Sequence, residues 1–157
     1  MSAARDAGPA DADLLSGAAL TAFRLNGQFL AVADRLAEPA GISAAWWQVL
    51  GAVLPEPLPV AGIARTMGIT RQSVQRIADL LVSHRLAAYE PNPAHRRAKL
   101  LAPTPEGRAA IAEIVPGHKA FAARLAKELG GTEEFSRVLD ALRELSAALD
   151  AIEGRRD

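Results

Sequence analysis

The chain has 157 residues, half of them hydrophobic, with 18 basic and 18 acidic side chains and no cysteine. This is enough for one domain, or one compact domain with a helical extension, with a real core; a formal charge of zero excludes a uniformly basic nucleic-acid coat, and the lack of cysteine excludes disulfides and thiolate metal sites. The opening MSAARDAGPADAD has early acids and no apolar stretch, unlike a signal peptide, and the longest uncharged run, Pro39 to Pro55, is too short and interrupted to cross a bilayer, so no membrane role and a cytoplasmic location are expected.

Residues 1–10 are small, polar and proline-containing, and are expected to be loosely attached. From about Asp11 to residue 40, Leu15, Ala18, Ala22, Leu25, Phe29, Val32 and Leu36 keep helical spacing, and Pro39 and Gly41 end the run. Such a helix is about 40 Å long at ~1.5 Å per residue, more than a small core needs, and is expected to reach another subunit.

Ser43 supplies a cap for a second helix through Leu54, which carries Trp46, Trp47, Val49, Leu50 and Val53. The adjacent tryptophans point about 100° apart at ~3.6 residues per turn, so one is expected in the core and the other facing a groove or the long helix. Pro55, Pro57 and Pro59 form a stiff connector.

Val60 to Arg85 reads as two short helices around a tight turn. Ile63, Ala64 and Met67 mark one buried face, Gly68 ends the first helix, and Thr70 caps the second. In the second helix Val74, Ile77, Ala78 and Leu81 form the inward stripe, which turns Arg71, Gln72, Gln75, Arg76 and Asp79 outward. This is the layout of a helix-turn-helix whose second helix enters a major groove. Arg can fork onto guanine O6 and N7, Gln can pair with adenine N6 and N7, and Thr70 and Ser73 can approach a phosphate.

Leu86 to Glu90 suggests a short strand, Pro91-Asn92-Pro93-Ala94 a turn, and Ala98 to Ala102 a second strand, with His95-Arg96-Arg97 at the tip. An arginine on such a hairpin suits a minor groove, with Arg96 and Lys99 as phosphate contacts. Between Arg65 and Lys99 seven basic residues face two acidic ones, a local charge of +5, so the remainder carries −5. The positive charge is therefore gathered on this segment.

Thr104-Pro105-Glu106 is a helix start, followed by Ile111, Ile114, Val115, Phe121 and Leu125 on one stripe. Pro116-Gly117 should kink the helix and Gly130-Gly131 should break it. Thr132 is expected to cap a last helix with Val138, Leu142, Leu145, Leu149 and Ile152 inward.

In this order, and through the motifs GITRQSVQRIADLLVSHRL and NPAHRRAKLLAPTPEGRAAI, the chain resembles the MarR family of bacterial transcriptional regulators over about residues 13 to 153. The family commonly shows an acid, any residue and Arg at the wing tip, then a strand ending in Leu-Thr, two residues and Gly. Here those positions hold His95-Arg96-Arg97, then Ala98 to Ala102, Pro103-Thr104 and Pro105-Glu106-Gly107. The resemblance implies a mainly α fold with a small β-hairpin wing: a flexible 1–10, an N-terminal dimerisation helix over 11–40, a winged helix-turn-helix over 43–103, and C-terminal dimerisation helices over 104–153. It implies a homodimer on a pseudo-palindromic operator in double-stranded DNA, acting as a repressor relieved by a small aromatic or phenolic ligand. By the same match Arg97 is the minor-groove residue.

Two departures stand out. His95 occupies the place of the usual acid; a neutral imidazole can accept a hydrogen bond, whereas a protonated one would repel Arg97, so wing binding is expected to be pH-sensitive. Arg85 stands where the family often has Gly, which implies either left-handed strain or a different helix end.

An effector cleft between the dimerisation helices and the reading head would draw on Arg24, Phe29, Trp46, Trp47 and His118. Each has a plainer role, Phe29 and one Trp as core and Arg24 and His118 as surface or interface groups. His84, His95 and His118 share no metal-ligand spacing, and no phosphate loop or catalytic constellation is visible, so no enzyme, metal or cofactor is expected. The competing reading is a winged-helix dimerisation or protein-interaction module without DNA binding. A DNA reader should show affinity that falls steeply with salt, and such a module should not.

Overall fold

Two glycines and one arginine take positive φ shortly after a helix ends: Gly41 (+69°), Gly68 (+65°) and Arg85 (+60°). The computed structural model describes residues 8–154. Its elements are α1 (Pro9–Ala37), α2 (Ala44–Val53), β1 (Leu58–Pro59), α3 (Val60–Met67), α4 (Arg71–Ser83), β2 (Ala87–Glu90), β3 (Leu100–Pro103), α5 (Pro105–Glu128) and α6 (Thr132–Glu153). The fold is mainly helical with one small antiparallel sheet, ordered β1-β3-β2.

Helix α1 starts at Pro9, two residues earlier than its periodicity suggests, because Gly8 is extended and Pro9 already has the φ of a first helical residue. Of the expected loose segment 1–10, residues 1–7 lie outside the described residues. A single 3₁₀ turn, Glu38–Ala40, follows α1, and Gly41 closes it in a left-handed conformation. Ser43 then caps α2, its Oγ accepting the Trp46 N–H at 3.2 Å. Asp34 of α1 adds a second cap across the turn, its carboxylate accepting the Ala44 N–H at 2.7 Å. Two of the orphan donors of α2 are thus satisfied from both sides of the connection.

The proline-rich connector contains a strand. Leu58 pairs with Leu101 and Pro59 with Leu100, which places β1 at the edge of the sheet. Proline's φ suits extended backbone, and its missing N–H is tolerated where a strand has only one partner. The wing strands also differ from expectation. β2 registers Ala87 against Pro103 and Glu90 against Leu100, and the second strand begins at Leu100 rather than Ala98. Ala98 is held in the tip turn instead, its N–H bonded to the His95 carbonyl at 3.2 Å.

The chain divides into two compact units, the first ending at Ile114 and the second starting at Val115. In the first, Leu50, Ile63, Leu81, Leu101 and Ile114 are fully buried, with Val49, Val53 and Val74 between them. Each such side chain contributes roughly 1.5–3 kcal/mol by leaving water, so these residues hold α2, α3, α4 and the sheet together. Helix α1 adds only Ala37 to the buried set, while Leu14, Leu20 and Phe23 stay about 70% exposed. In the second unit α6 has no buried residue, and Leu142, Leu145 and Leu149 are 40–50% exposed.

Helix α5 begins as expected. Thr104 Oγ1 accepts the Gly107 N–H at 3.0 Å, and Pro105 is the first helical residue. Pro116 lies inside α5, one residue beyond the start of the second unit. The cap of α6 is Gly131, not Thr132, which is a correction to the sequence reading. Gly130 and Gly131 both take positive φ and return their N–H groups to Lys127 and Ala126. The reversal is complete within those two residues, so Thr132 enters with helical backbone already formed.

Candidate nucleic-acid interface

Three residues build the turn that aims α4. The N–H groups of Gly68 and Ile69 both bond to the Ala64 carbonyl, which ends α3. Thr70 is extended; its Oγ1 accepts the Ser73 N–H at 3.2 Å and donates to the Ser73 hydroxyl at 2.9 Å. The hydroxyls of Thr70 and Ser73 therefore engage each other at the start of α4. Burial of Val74, Ile77, Ala78 and Leu81 fixes the rotation of the helix and turns Arg71, Gln72, Gln75, Arg76 and Asp79 to solvent.

The wing tip is ordered by its own backbone. Asn92 Oδ1 accepts the Ala94 N–H at 3.0 Å, and the Asn92 carbonyl accepts the His95 N–H at 3.2 Å. The bond from Ala98 to His95 closes a β-turn whose central residues are Arg96 and Arg97, both exposed.

The tie between helix and wing involves a residue that sequence reasoning missed. Tyr89 on β2 donates its hydroxyl to Asp79 Oδ1 at 2.6 Å. Gln75 Nε2 donates to the same carboxylate oxygen at 2.9 Å and to the Tyr89 hydroxyl at 2.8 Å. Burial first, and then the hydrogen bond to Asp79 and its charge, push the Tyr89 pKa up to about 12, with the Gln75 bond opposing. Tyr89 sits ten positions from Asp79 across a turn, a spacing that carries no helical or strand signature.

Between α4, the start of α3 and the wing lies a groove of about 430 Å³. Arg71, Gln75, Tyr89, His95, Arg97 and Lys99 line it, and no carboxylate does. Thus Arg71, Gln75, Arg97 and Lys99, from two sequence segments, meet on one surface. Gln72, Arg76 and Arg96 are exposed outside the groove lining. Among the described residues no ion pair engages Arg71, Arg76, Arg96, Arg97 or Lys99; those found join Arg137 to Glu134 and Arg143 to Asp140 on α6.

The residues expected to meet an effector fall on different elements. Arg24 and Phe29 are exposed on α1, Trp46 and Trp47 are half-buried against the core, and His118 belongs to the second unit. Both tryptophans thus pack on the core, rather than one alone. The ring of Trp46 meets His84 edge-on at 4.8 Å between centroids. Among the described residues no cluster of three or more His, Cys, Asp or Glu side chains could hold a metal ion, and no helix is long and apolar enough to cross a membrane.

This arrangement has relatives. An uncharacterized protein of Mycobacterium tuberculosis is 35% identical over 129 residues, covering 82% of this chain and 90% of that protein. A solved structure of Escherichia coli MarR, a cysteine-to-serine mutant complexed with operator DNA, superposes with a TM-score of 0.72 at 19% identity, covering 81% of this chain and 91% of that one. Residues 40–98, from the turn after α1 through the wing tip, match the family model described as MarR family. The chain belongs to the MarR family. It is accordingly a DNA-binding transcription regulator and not an enzyme. Another similar structure is that of BpsR from Bordetella bronchiseptica, whose DNA binding is regulated by 6-hydroxynicotinic acid; the TM-score is 0.70 at 23% identity, covering 82% of this chain and 91% of that one. The wing tip of this chain carries His95, Arg96 and Arg97, and Arg85 takes φ +60°.

Proposed function

We propose that two copies of this chain grip one operator, each with α4 in a major groove and Arg97 in the flanking minor groove. The convergence of Arg71, Arg97 and Lys99 on a groove with no lining carboxylate carries this reading. Arg71, Gln72, Gln75 and Arg76 read base edges, Thr70 and Ser73 approach the backbone at the helix start, and Arg96 and Lys99 contact phosphates. The exposed apolar faces of α1 and α6 support a homodimer, since Phe23, Leu142 and Leu149 remain open to water in a single chain. Half-sites then lie one helical turn apart, ~34–36 Å, on a pseudo-palindromic operator. The protein acts in the cytoplasm.

The regulator represses, and a small aromatic or phenolic ligand relieves it by shifting the dimer toward a spacing that no longer fits the operator. The regulation of BpsR by 6-hydroxynicotinic acid supports that class of ligand. Within the first unit, Arg24, Phe29, Trp46 and Trp47 are the residues proposed to meet it.

The test is salt dependence. Affinity for duplexes cut from the source genome should fall steeply with salt, and Arg97→Ala should flatten the log–log slope by about 2 per dimer, one phosphate equivalent per subunit. A salt-independent affinity, or an unchanged slope in the variant, would overturn the reading.

A further inference from the structure

We propose that Tyr89 and Asp79 are specificity-positioning residues that lock the Gln75 amide in the one orientation able to pair with adenine. The inference rests on the reading of α4 as the major-groove helix and adds a mechanism to it.

A carboxylate only accepts hydrogen bonds, so the end of the Gln75 amide that faces Asp79 has to be Nε2. The Tyr89 proton goes to the same carboxylate oxygen, which leaves a lone pair on the Tyr89 hydroxyl free to accept from Nε2. Turning the amide over would set Oε1 against two oxygens at hydrogen-bond distance, one of them charged. The orientation is therefore enforced rather than sampled.

The three distances of 2.6, 2.8 and 2.9 Å close a triangle. Its angle at Nε2 is much narrower than the spread of the two amide protons. One proton is shared between the two oxygens, so the second N–H and Oε1 remain as a donor–acceptor edge. Adenine offers the complementary pair in the major groove, an N6 donor and an N7 acceptor. Guanine offers two acceptors there, one of which would oppose Oε1. An untethered glutamine would lose rotamer freedom on binding and could present either edge. Here that freedom is already removed, because Gln75 lines the groove with its amide held from β2.

The test uses the full-length protein and a pool of randomised duplexes. The wild type, Gln75→Ala, Tyr89→Phe and Asp79→Asn are each carried through repeated selection and the bound duplexes sequenced. The wild-type motif should contain one adenine per half-site whose preference falls about tenfold in all three variants, with the other positions unchanged. The salt slope of Tyr89→Phe on a random duplex should match the wild type, because no phosphate contact is removed. The proposal is overturned if Tyr89→Phe and Asp79→Asn keep the wild-type motif, weaken every position alike, or change a position other than the one Gln75→Ala changes. It is also overturned if the motif carries no such adenine. A wild type that enriches no motif at all instead sinks the parent reading of α4, an outcome distinct from each of these.

Discussion

Gly107 lies against the carbonyl of Leu86 so closely that a Cβ at position 107 would collide with that oxygen, and would also press on Leu50. The same carbonyl accepts the Thr104 N–H at 3.1 Å, and Thr104 Oγ1 donates to the Arg85 carbonyl at 2.6 Å. The end of α4 and the start of α5 are thus clamped backbone to backbone. Gly107→Ala should destabilise the protein by about 3 kcal/mol, the upper range for inserting a methyl group into packed structure. Urea denaturation should show a lower midpoint with an unchanged slope. A midpoint within error of the wild type would mean that this contact yields freely.

Arg85 is the non-glycine residue with positive φ among those described. Its left-handed backbone costs roughly 1–2 kcal/mol, and glycine would remove that cost while adding ~0.5–1 kcal/mol of unfolded-state freedom. Arg85→Gly should therefore raise stability by about 0.5–1 kcal/mol, read from the same denaturation midpoint. Arg85→Val should lower it, because a branched Cβ tolerates this conformation least.

Tyr89 is the chain's single tyrosine, so its ionisation can be followed by tyrosinate absorbance without assignment. With its pKa pushed up to about 12, the folded state binds the phenolic proton more tightly than the unfolded chain does. That contribution to stability is complete below pH ~10, the unfolded value, and is lost as pH rises through the folded value. Asp79→Asn should move the titration midpoint back toward 10, since it removes the neighbouring charge. An unmoved midpoint would assign the shift to burial alone.

Leu142 lies midway along α6 with 41% of its surface exposed. Leu142→Glu should convert the proposed dimer to monomer at micromolar concentration, read by analytical ultracentrifugation, and weaken operator binding by the loss of one of two coupled half-sites. A single protomer that already sediments as a monomer in the wild type would contradict the proposed assembly.

Local chemistry was readable wherever a residue satisfies its own neighbours. Ser43, Thr70 and Thr104 cap the helices that follow them, and Gly68 ends α3, because each interaction spans a few residues. The stripe of Val74, Ile77, Ala78 and Leu81 is buried as its periodicity requires, so the outward set from Arg71 to Arg76 follows from helix geometry alone. Thr132 misleads because two preceding glycines complete the reversal before it. Leu58 and Pro59 were illegible as a strand, since a two-residue edge in a proline run has no pattern and exists only because β3 offers it a partner.

The amino-acid sequence by itself determined the order of helices, the outward face of α4, the basic segment from Arg65 to Lys99 and the arginine-bearing wing, all set by spacing along one chain. Only the tertiary structure decided that Arg71 and Arg97 share a groove, that Asp34 caps a helix beyond its own, and that Tyr89 holds Gln75 through Asp79. These contacts join residues ten or more positions apart. They arise when the buried faces of α2, α3, α4 and the sheet close on one core, and no local preference encodes which polar groups that closure brings into reach.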